Sequence, residues 1–214
     1  YDLDGYLIPK NDEFFGEYIP ENKDNLKFIS NFTGSFGFAL ILKKQNYLFV
    51  DGRYTLQAKI QCGKEFIIKT IPNELPLHIF KKKKLSIGFD PSLFTETMLS
   101  NFFYSTNCNL IPIKQKLINK IWKKRKKIPI QKFFILNNSL AGKSVENKVF
   151  QLTRELNRNK IDLQFVSASE NIAWLLNIRG FDSDYTPIPN SYVFIDSKKN
   201  VNFFCDLNKI DQKT

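Results

Sequence analysis

Phe36-Gly37-Phe38-Ala39-Leu40-Ile41-Leu42-Lys43-Lys44-Gln45-Asn46-Tyr47-Leu48-Phe49-Val50-Asp51-Gly52-Arg53-Tyr54 is the stretch that decides the fold. Two short apolar runs, 36–42 and 47–50, are separated by the polar connection 43–46. Runs of this length bounded by polar residues read as strands, and a link this short joins antiparallel neighbours. The second run stops at Asp51-Gly52, and a helical pattern covers 54–62. Working outward, strands are expected at 5–9, 66–70 and 85–89, and further helices at 75–80 and 93–105, the last opened by Asp90-Pro91, where proline suits a helix start. Alternating strands and helices around a hairpin give an α/β domain with a mixed β-sheet flanked by helices.

Beyond it, Ile113, Leu117, Ile118 and Ile121 share one helical face, and the basic run Lys123-Lys124-Arg125-Lys126-Lys127 follows, closed by Pro129. The domain boundary is expected there. A second α/β unit comes next, with strands at 132–136 and 162–166 and helices at 145–157 and 168–177. Val145, Val149, Leu152 and Leu156 recur at helical spacing behind a Ser144 cap, and Ser167 with Glu170 has the spacing of a capping box. Segments 192–196 and 200–205 read as a hairpin. The expected division is therefore 1–128, including the basic linker 123–128, and 129–214, with the second domain cut short at Thr214.

The 214 residues, 43% of them hydrophobic, suffice for one sizeable core or two smaller ones. The apolar run at 36–42 is far too short to cross a bilayer. Cys62, Cys108 and Cys205 are odd in number and lack C-x-x-C spacing, which argues against a disulfide framework and a structural zinc site and fits a reducing cytoplasm. A net charge of +11 raises nucleic acid or an anionic membrane as partners. The excess is largely lysine, in a chain also crowded with Asn, Ile and Phe, so a coding bias accounts for most of it.

Several motifs invite chemistry. Ala141-Gly142-Lys143-Ser144 resembles the end of a phosphate-binding loop, but the glycine required five positions before Gly142 is Asn137. A glycine turn followed by a serine cap explains it. Gly34-Ser35-Phe36-Gly37 is a glycine-rich turn before a strand. His78 is the only histidine, which removes Ser-His-Asp, Cys-His and histidine-rich zinc arrangements within this chain. Asp182 and Asp184 form a loop pair that could face a hard cation but lack a third ligand. The basic run at 123–127 reads as a solvated linker in preference to a phosphate-binding patch. Asp51-Gly52-Arg53-Tyr54 sits at a strand end, where α/β domains build sites. Structurally read, Asp51 caps the helix, Gly52 permits the turn and Arg53 pairs with a nearby acid. Asn177-Ile178-Arg179-Gly180 poses the same question, with Arg179 leaving a helix end where a cation suits the dipole.

Taken together, the separated segments resemble one family. Tyr6-Leu7-Ile8-Pro9, Glu17-Tyr18-Ile19 and 28–37 are similar to the opening of three-domain Xaa-Pro aminopeptidases; 51–58, Ile87-Gly88-Phe89-Asp90-Pro91, 117–122 and 170–180 follow in that family's order, with Pro187 and Ser191-Tyr192 in place. Phe36, where the family usually has a small residue, and the strongly basic linker depart from the pattern.

The resemblance implies two domains of the creatinase amino-terminal type, serving a pita-bread catalytic domain with two divalent metal ions, expected to be manganese, whose Asp, His and Glu ligands are not in this chain. No metal or catalytic residue is carried over to these positions, and no cofactor is expected in them. It also implies that Arg53 contacts the bound peptide, a role its planar fork of donors suits. The expected partners are short peptides with proline in second position and a second copy of the full-length enzyme, with no nucleic acid and no membrane. The full enzyme would release an N-terminal residue that precedes proline, and this chain alone would be inactive. Two other classes stay open: a non-catalytic creatinase-like module that binds proteins, as in the FACT histone chaperone, and a basic nucleic-acid module.

Overall fold

The first sheet is built from strands whose consecutive residues face different cores. The structure, a computed structural model, describes residues 2–211; the ends of the two expected spans, Tyr1 and residues 212–214, lie outside them. By its internal packing the chain forms two units, one of Tyr1–Glu13 and Glu21–Lys126, the other of Phe14–Pro20 and Lys127–Thr214. Segment Phe14–Pro20, which the sequence placed in the first domain, packs within the second unit. Phe14 stacks on Tyr192 with ring centroids 5.3 Å apart, and Tyr18 meets Tyr185 edge-on at 5.3 Å.

The first unit runs β1 (Gly5–Pro9), α1 (Asn25–Ser30), β2 (Gly37–Leu42), β3 (Asn46–Asp51), α2 (Thr55–Cys62), β4 (Phe66–Ile71), α3 (Pro76–Ile79), β5 (Ser86–Phe89), α4 (Glu96–Phe103), β6 (Asn109–Pro112) and α5 (Leu117–Ile121). Its six strands lie in the order β4-β3-β2-β1-β5-β6. The β1, β2 and β3 neighbours are antiparallel and the remaining pairs parallel, so the sheet is mixed, as expected. Leu7, Phe38, Leu40, Tyr47 and Phe49 enter one core with Phe80 and Phe103. Ile8, Ala39, Leu48 and Val50 enter the other with Leu26, Ala58, Cys62 and Ile118. Both faces are therefore covered, α3 and α4 on one side and α1, α2 and α5 on the other, which is why these strands read as unbroken apolar runs. Phe38 and Phe49 are register partners with rings stacked at 4.5 Å, and burying each contributes roughly 1.5–3 kcal/mol.

Three local expectations change. Asp90-Pro91 opens a 3-10 turn, Pro91–Leu93, and the helix proper starts later, where Thr95 accepts a hydrogen bond from the Met98 N–H at 3.2 Å. The helix expected across 113–122 shortens to α5, while Ile113 is fully buried ahead of it. Arg125, in the basic run, is no solvated linker residue: it donates to Asn22 O at 2.7 Å, Asn25 Oδ1 at 3.0 Å and Asn119 Oδ1 at 2.6 Å, and stacks over Trp122.

The second unit runs β7 (Phe134–Ile135), α6 (Asn138–Ala141), α7 (Val145–Arg158), β8 (Leu163–Val166), α8 (Ser169–Leu175), β9 (Ile178–Arg179), β10 (Tyr192–Asp196) and β11 (Val201–Phe204). Strands β11-β10-β8 form one antiparallel sheet and β7-β9 a two-stranded one. Val193 and Ile195 pack with Ile172 and Leu175 of α8 and with Leu152 of α7. Ser144 caps α7, accepting from Asn147 N, as expected. The capping box at Ser167 and Glu170 does not form: α8 is capped by Ala168, with no side-chain bond. Among the described residues no helix is long and apolar enough to cross a membrane.

Candidate functional site

The first-unit loop after α1 and the turn after β3 are brought together by the β2–β3 register, which pairs Gly37 with Val50. At the turn, Asp51 Oδ1 accepts from the Arg53 backbone N–H and from Arg53 Nε, each at 2.9 Å. The cap therefore serves the 3-10 turn Gly52–Tyr54, and α2 begins behind Tyr54 without a side-chain cap. Gly52 is not demanded by sterics, since a Cβ there would meet nothing nearer than Thr70 Cγ2 at 3.8 Å and its φ is not positive.

Arg53 is paired and exposed at once: 72% of its side chain is open to solvent. Its Nε is engaged by Asp51, while its two terminal nitrogens make no hydrogen bond among the described residues. The hydrogen bond from Arg53, with the backbone N–H and the guanidinium charge, holds the Asp51 carboxyl below the usual range, and the same contact raises the guanidinium's own value. The Tyr54 ring lies 5.4 Å from Arg53 Cζ. Its hydroxyl shares a 2.7 Å hydrogen bond with Ser35 Oγ, which ties the glycine-rich loop to the turn.

That loop is anchored by close packing and by amides. A Cβ on Gly34 would sit 2.2 Å from Phe32 Cζ, so only glycine fits against the buried ring. Gln57 and Gln61 of α2 donate to Thr33 Oγ1 at 2.9 and 2.7 Å, and Gln61 Oε1 accepts from Thr33 N. These residues escaped the sequence reading, although the i, i+4 spacing of Gln57 and Gln61 puts both on one helical face. Phe36 is half exposed beside them. The whole arrangement is an exposed ledge presenting one guanidinium whose terminal nitrogens are unbonded among the described residues.

The other candidates are structural. Arg179 lies in β9 and not at a helix end; its Nη1 donates to Ala173 O at 2.6 Å, so it still serves the last turn of α8. Buried Lys148 works beside it, donating to Trp174 O and to Asn177 Oδ1 at 2.6 Å each. Asp182 is held by Lys209 and accepts from Asn190 N at 2.7 Å, away from any cation role. Gly142 closes α6 at φ +73°, and its N–H reaches Asn138 O, the geometry of a C-cap and not of a phosphate cradle. His78 is exposed, its Nδ1 accepting from Leu75 N. Among the described residues no group of three or more His, Cys, Asp or Glu is placed to hold a metal ion.

Residues 1–121 match the model of the Creatinase/Prolidase N-terminal domain, and residues 124–214 match a second model of the same description. The chain belongs to the creatinase/prolidase N-terminal domain family. It is 31% identical to Xaa-Pro aminopeptidase 1 of Dictyostelium discoideum across 99% of this chain and 36% of that protein. To a probable Xaa-Pro aminopeptidase P of Fusarium vanettenii it is 32% identical, across 97% of this chain and 35% of the relative. A solved X-prolyl aminopeptidase from Caenorhabditis elegans, described as a cytosolic enzyme with a di-nuclear active site, matches with a TM-score of 0.89 at 28% identity, over 99% of this chain and 36% of that one. This creatinase/prolidase-type chain thus spans about a third of the length of the curated relatives it matches, at their amino-terminal region.

Proposed function

We propose that the chain is the amino-terminal, substrate-orienting region of an Xaa-Pro aminopeptidase, a hydrolase releasing an N-terminal residue that precedes proline. The observation that carries this is Arg53: an exposed guanidinium, fixed through Nε by Asp51, with both terminal nitrogens unbonded among the described residues. Whole-chain similarity to the Caenorhabditis elegans enzyme supplies the reaction class. An X-Pro bond lacks the amide N–H and carries a ring that general proteases do not seat. Holding such a peptide therefore falls to groups that grip its carbonyls or carboxylate, and Arg53 offers them two parallel donors.

A di-nuclear centre does not fit the residues described here, which place no ligand set together. In this proposal the pair of divalent ions, manganese by expectation, belongs to a further domain of the full-length enzyme. The domains near 1–128 and 129–214, with Phe14–Pro20 assigned to the second, restrict access and orient short proline-containing peptides. The full-length enzyme acts as a cytosolic homodimer.

The test is Arg53→Ala in the full-length enzyme. A lost charge-assisted hydrogen bond of roughly 1.5–3 kcal/mol lowers kcat/KM by about 10- to 150-fold, with melting temperature unchanged. The 214-residue chain alone, given an Arg-Pro-Pro peptide and manganese, should show no turnover. Unchanged kcat/KM in the variant would remove Arg53 from the site.

A further inference from the structure

In the first unit, strands β1, β5 and β6 are parallel and end side by side, and a cavity of about 130 Å³ lies beyond their carboxyl ends. After β1 the chain passes to β2 on one side, whereas after β5 it passes to β6 on the other. This is the topological switch point of the sheet, where open α/β folds place ligands. A space of this size exceeds what one buried water needs and falls short of a drug-sized pocket.

The lining is charged and divided. Glu13 lies among Lys23, whose Nζ is 2.6 Å from Glu13 Oε1, Lys116 and Arg125. Around the whole cavity three cations, Lys23, Lys116 and Arg125, stand with three acids, Asp12, Glu13 and Asp90. Lys116 makes no ion pair among the described residues, and Arg125 Nε is buried without a protein partner although its other nitrogens are all bonded. Asp90 stands elsewhere in the lining, beside Tyr6. Asp90 is 9% exposed, and its Oδ1 takes both the Ser92 N–H at 2.9 Å and the Ser92 hydroxyl at 2.7 Å, while Oδ2 takes part in neither. Burial, followed by the Asp90 charge, pushes the Tyr6 hydroxyl up to about 12, so it stays a neutral donor and acceptor at neutral pH.

A plain anion would meet the cations but be repelled by Asp90 and by buried Asp12 in the same lining. A metal ion would find no ligand set among the described residues. We propose that this cavity binds a small zwitterion, a free α-amino acid, whose carboxylate is held by Lys116 and Arg125 and whose ammonium is held by Asp90. The inference stands apart from the reaction proposed above, and Arg53 takes no part in it.

Isothermal titration of the chain with L-alanine tests it, with L-alaninamide, N-acetyl-L-alanine and inorganic phosphate as probes that lack one charge or the other. The expected result is saturable one-to-one binding of L-alanine, weakened at least about tenfold when either charge is removed. Asp90→Asn keeps the oxygen that caps the turn, and Lys116→Gln changes an exposed residue, so both variants should melt like the parent while losing at least about fivefold in affinity. No saturable binding up to about 20 mM, phosphate or alaninamide binding as tightly as alanine, or full affinity in both variants would overturn the assignment.

Discussion

Gly34→Ala inserts one methyl group where the structure has no room. Its carbon would lie 2.2 Å from Cζ, 2.8 Å from Cε2 and 2.9 Å from Cε1 of Phe32. The ring cannot yield easily, because it is fully buried, its edge meets the Tyr54 ring at 5.8 Å, and Gly37 packs against its Cε1 side. The loop must move instead, which strains the 2.7 Å bond between Ser35 and Tyr54. Overpacking of this kind costs roughly 1–3 kcal/mol. At about 2–4 °C per kcal/mol for a chain of this size, the melting temperature should fall by roughly 2–12 °C. Scanning calorimetry of the parent, Gly34→Ala, Phe32→Leu and the double variant checks this, and the smaller leucine should leave the double variant less destabilised than the sum of the singles. A Gly34→Ala melt within about 1 °C of the parent, or strict additivity, would refute the argument.

Lys148→Met removes a buried cation that bonds Trp174 O and Asn177 Oδ1; chemical denaturation should show a loss of roughly 1.5–3 kcal/mol, centred on the second unit. Asp196 accepts from the side chain and backbone of Asn200 and from the backbone of Lys198, and these bonds hold its carboxyl below the usual range. A carboxyl depressed on folding adds stability above its unfolded value, near 3.9, and loses it as pH falls through the lower folded value. An acid titration followed by circular dichroism should therefore show a steeper decline below about pH 4 in the parent than in Asp196→Asn.

The first sheet could be read because its pattern is local: 36–42 and 47–50 are apolar to their ends and the link between them is short. β6 escaped because it is a four-residue strand ending in Pro112, and α1 because six residues behind Asp24 are too few to display a period. Lys148 lies at the edge of α7's apolar stripe, three residues from Val145 and four from Leu152, but its charge masks that position, and its partners come only from the end of α8. Arg53 is legible as part of the signature stretch 51–58, but its setting is not. Ser35 reaches Tyr54, and Thr33 reaches Gln57 and Gln61, through tertiary proximity that no local pattern carries; even the register is tighter than the expected 43–46 link, with Ile41 opposite Asn46 and Gly37 opposite Val50.

Phe14–Pro20 has a consequence for how this protein can be inherited and handled. Its seven residues belong, by packing, to the half of the chain that follows Lys127, so the two halves are not separable cassettes. A cut at the lysine run would part Phe14 from Tyr192 and Tyr18 from Tyr185, and would leave Ser183 without the Tyr18 carbonyl. Recombination or truncation at that seam is disfavoured even though the sequence reads as two consecutive domains there. The pair travels as one module, stitched by a thread that leaves the first half and returns to it before that half is complete.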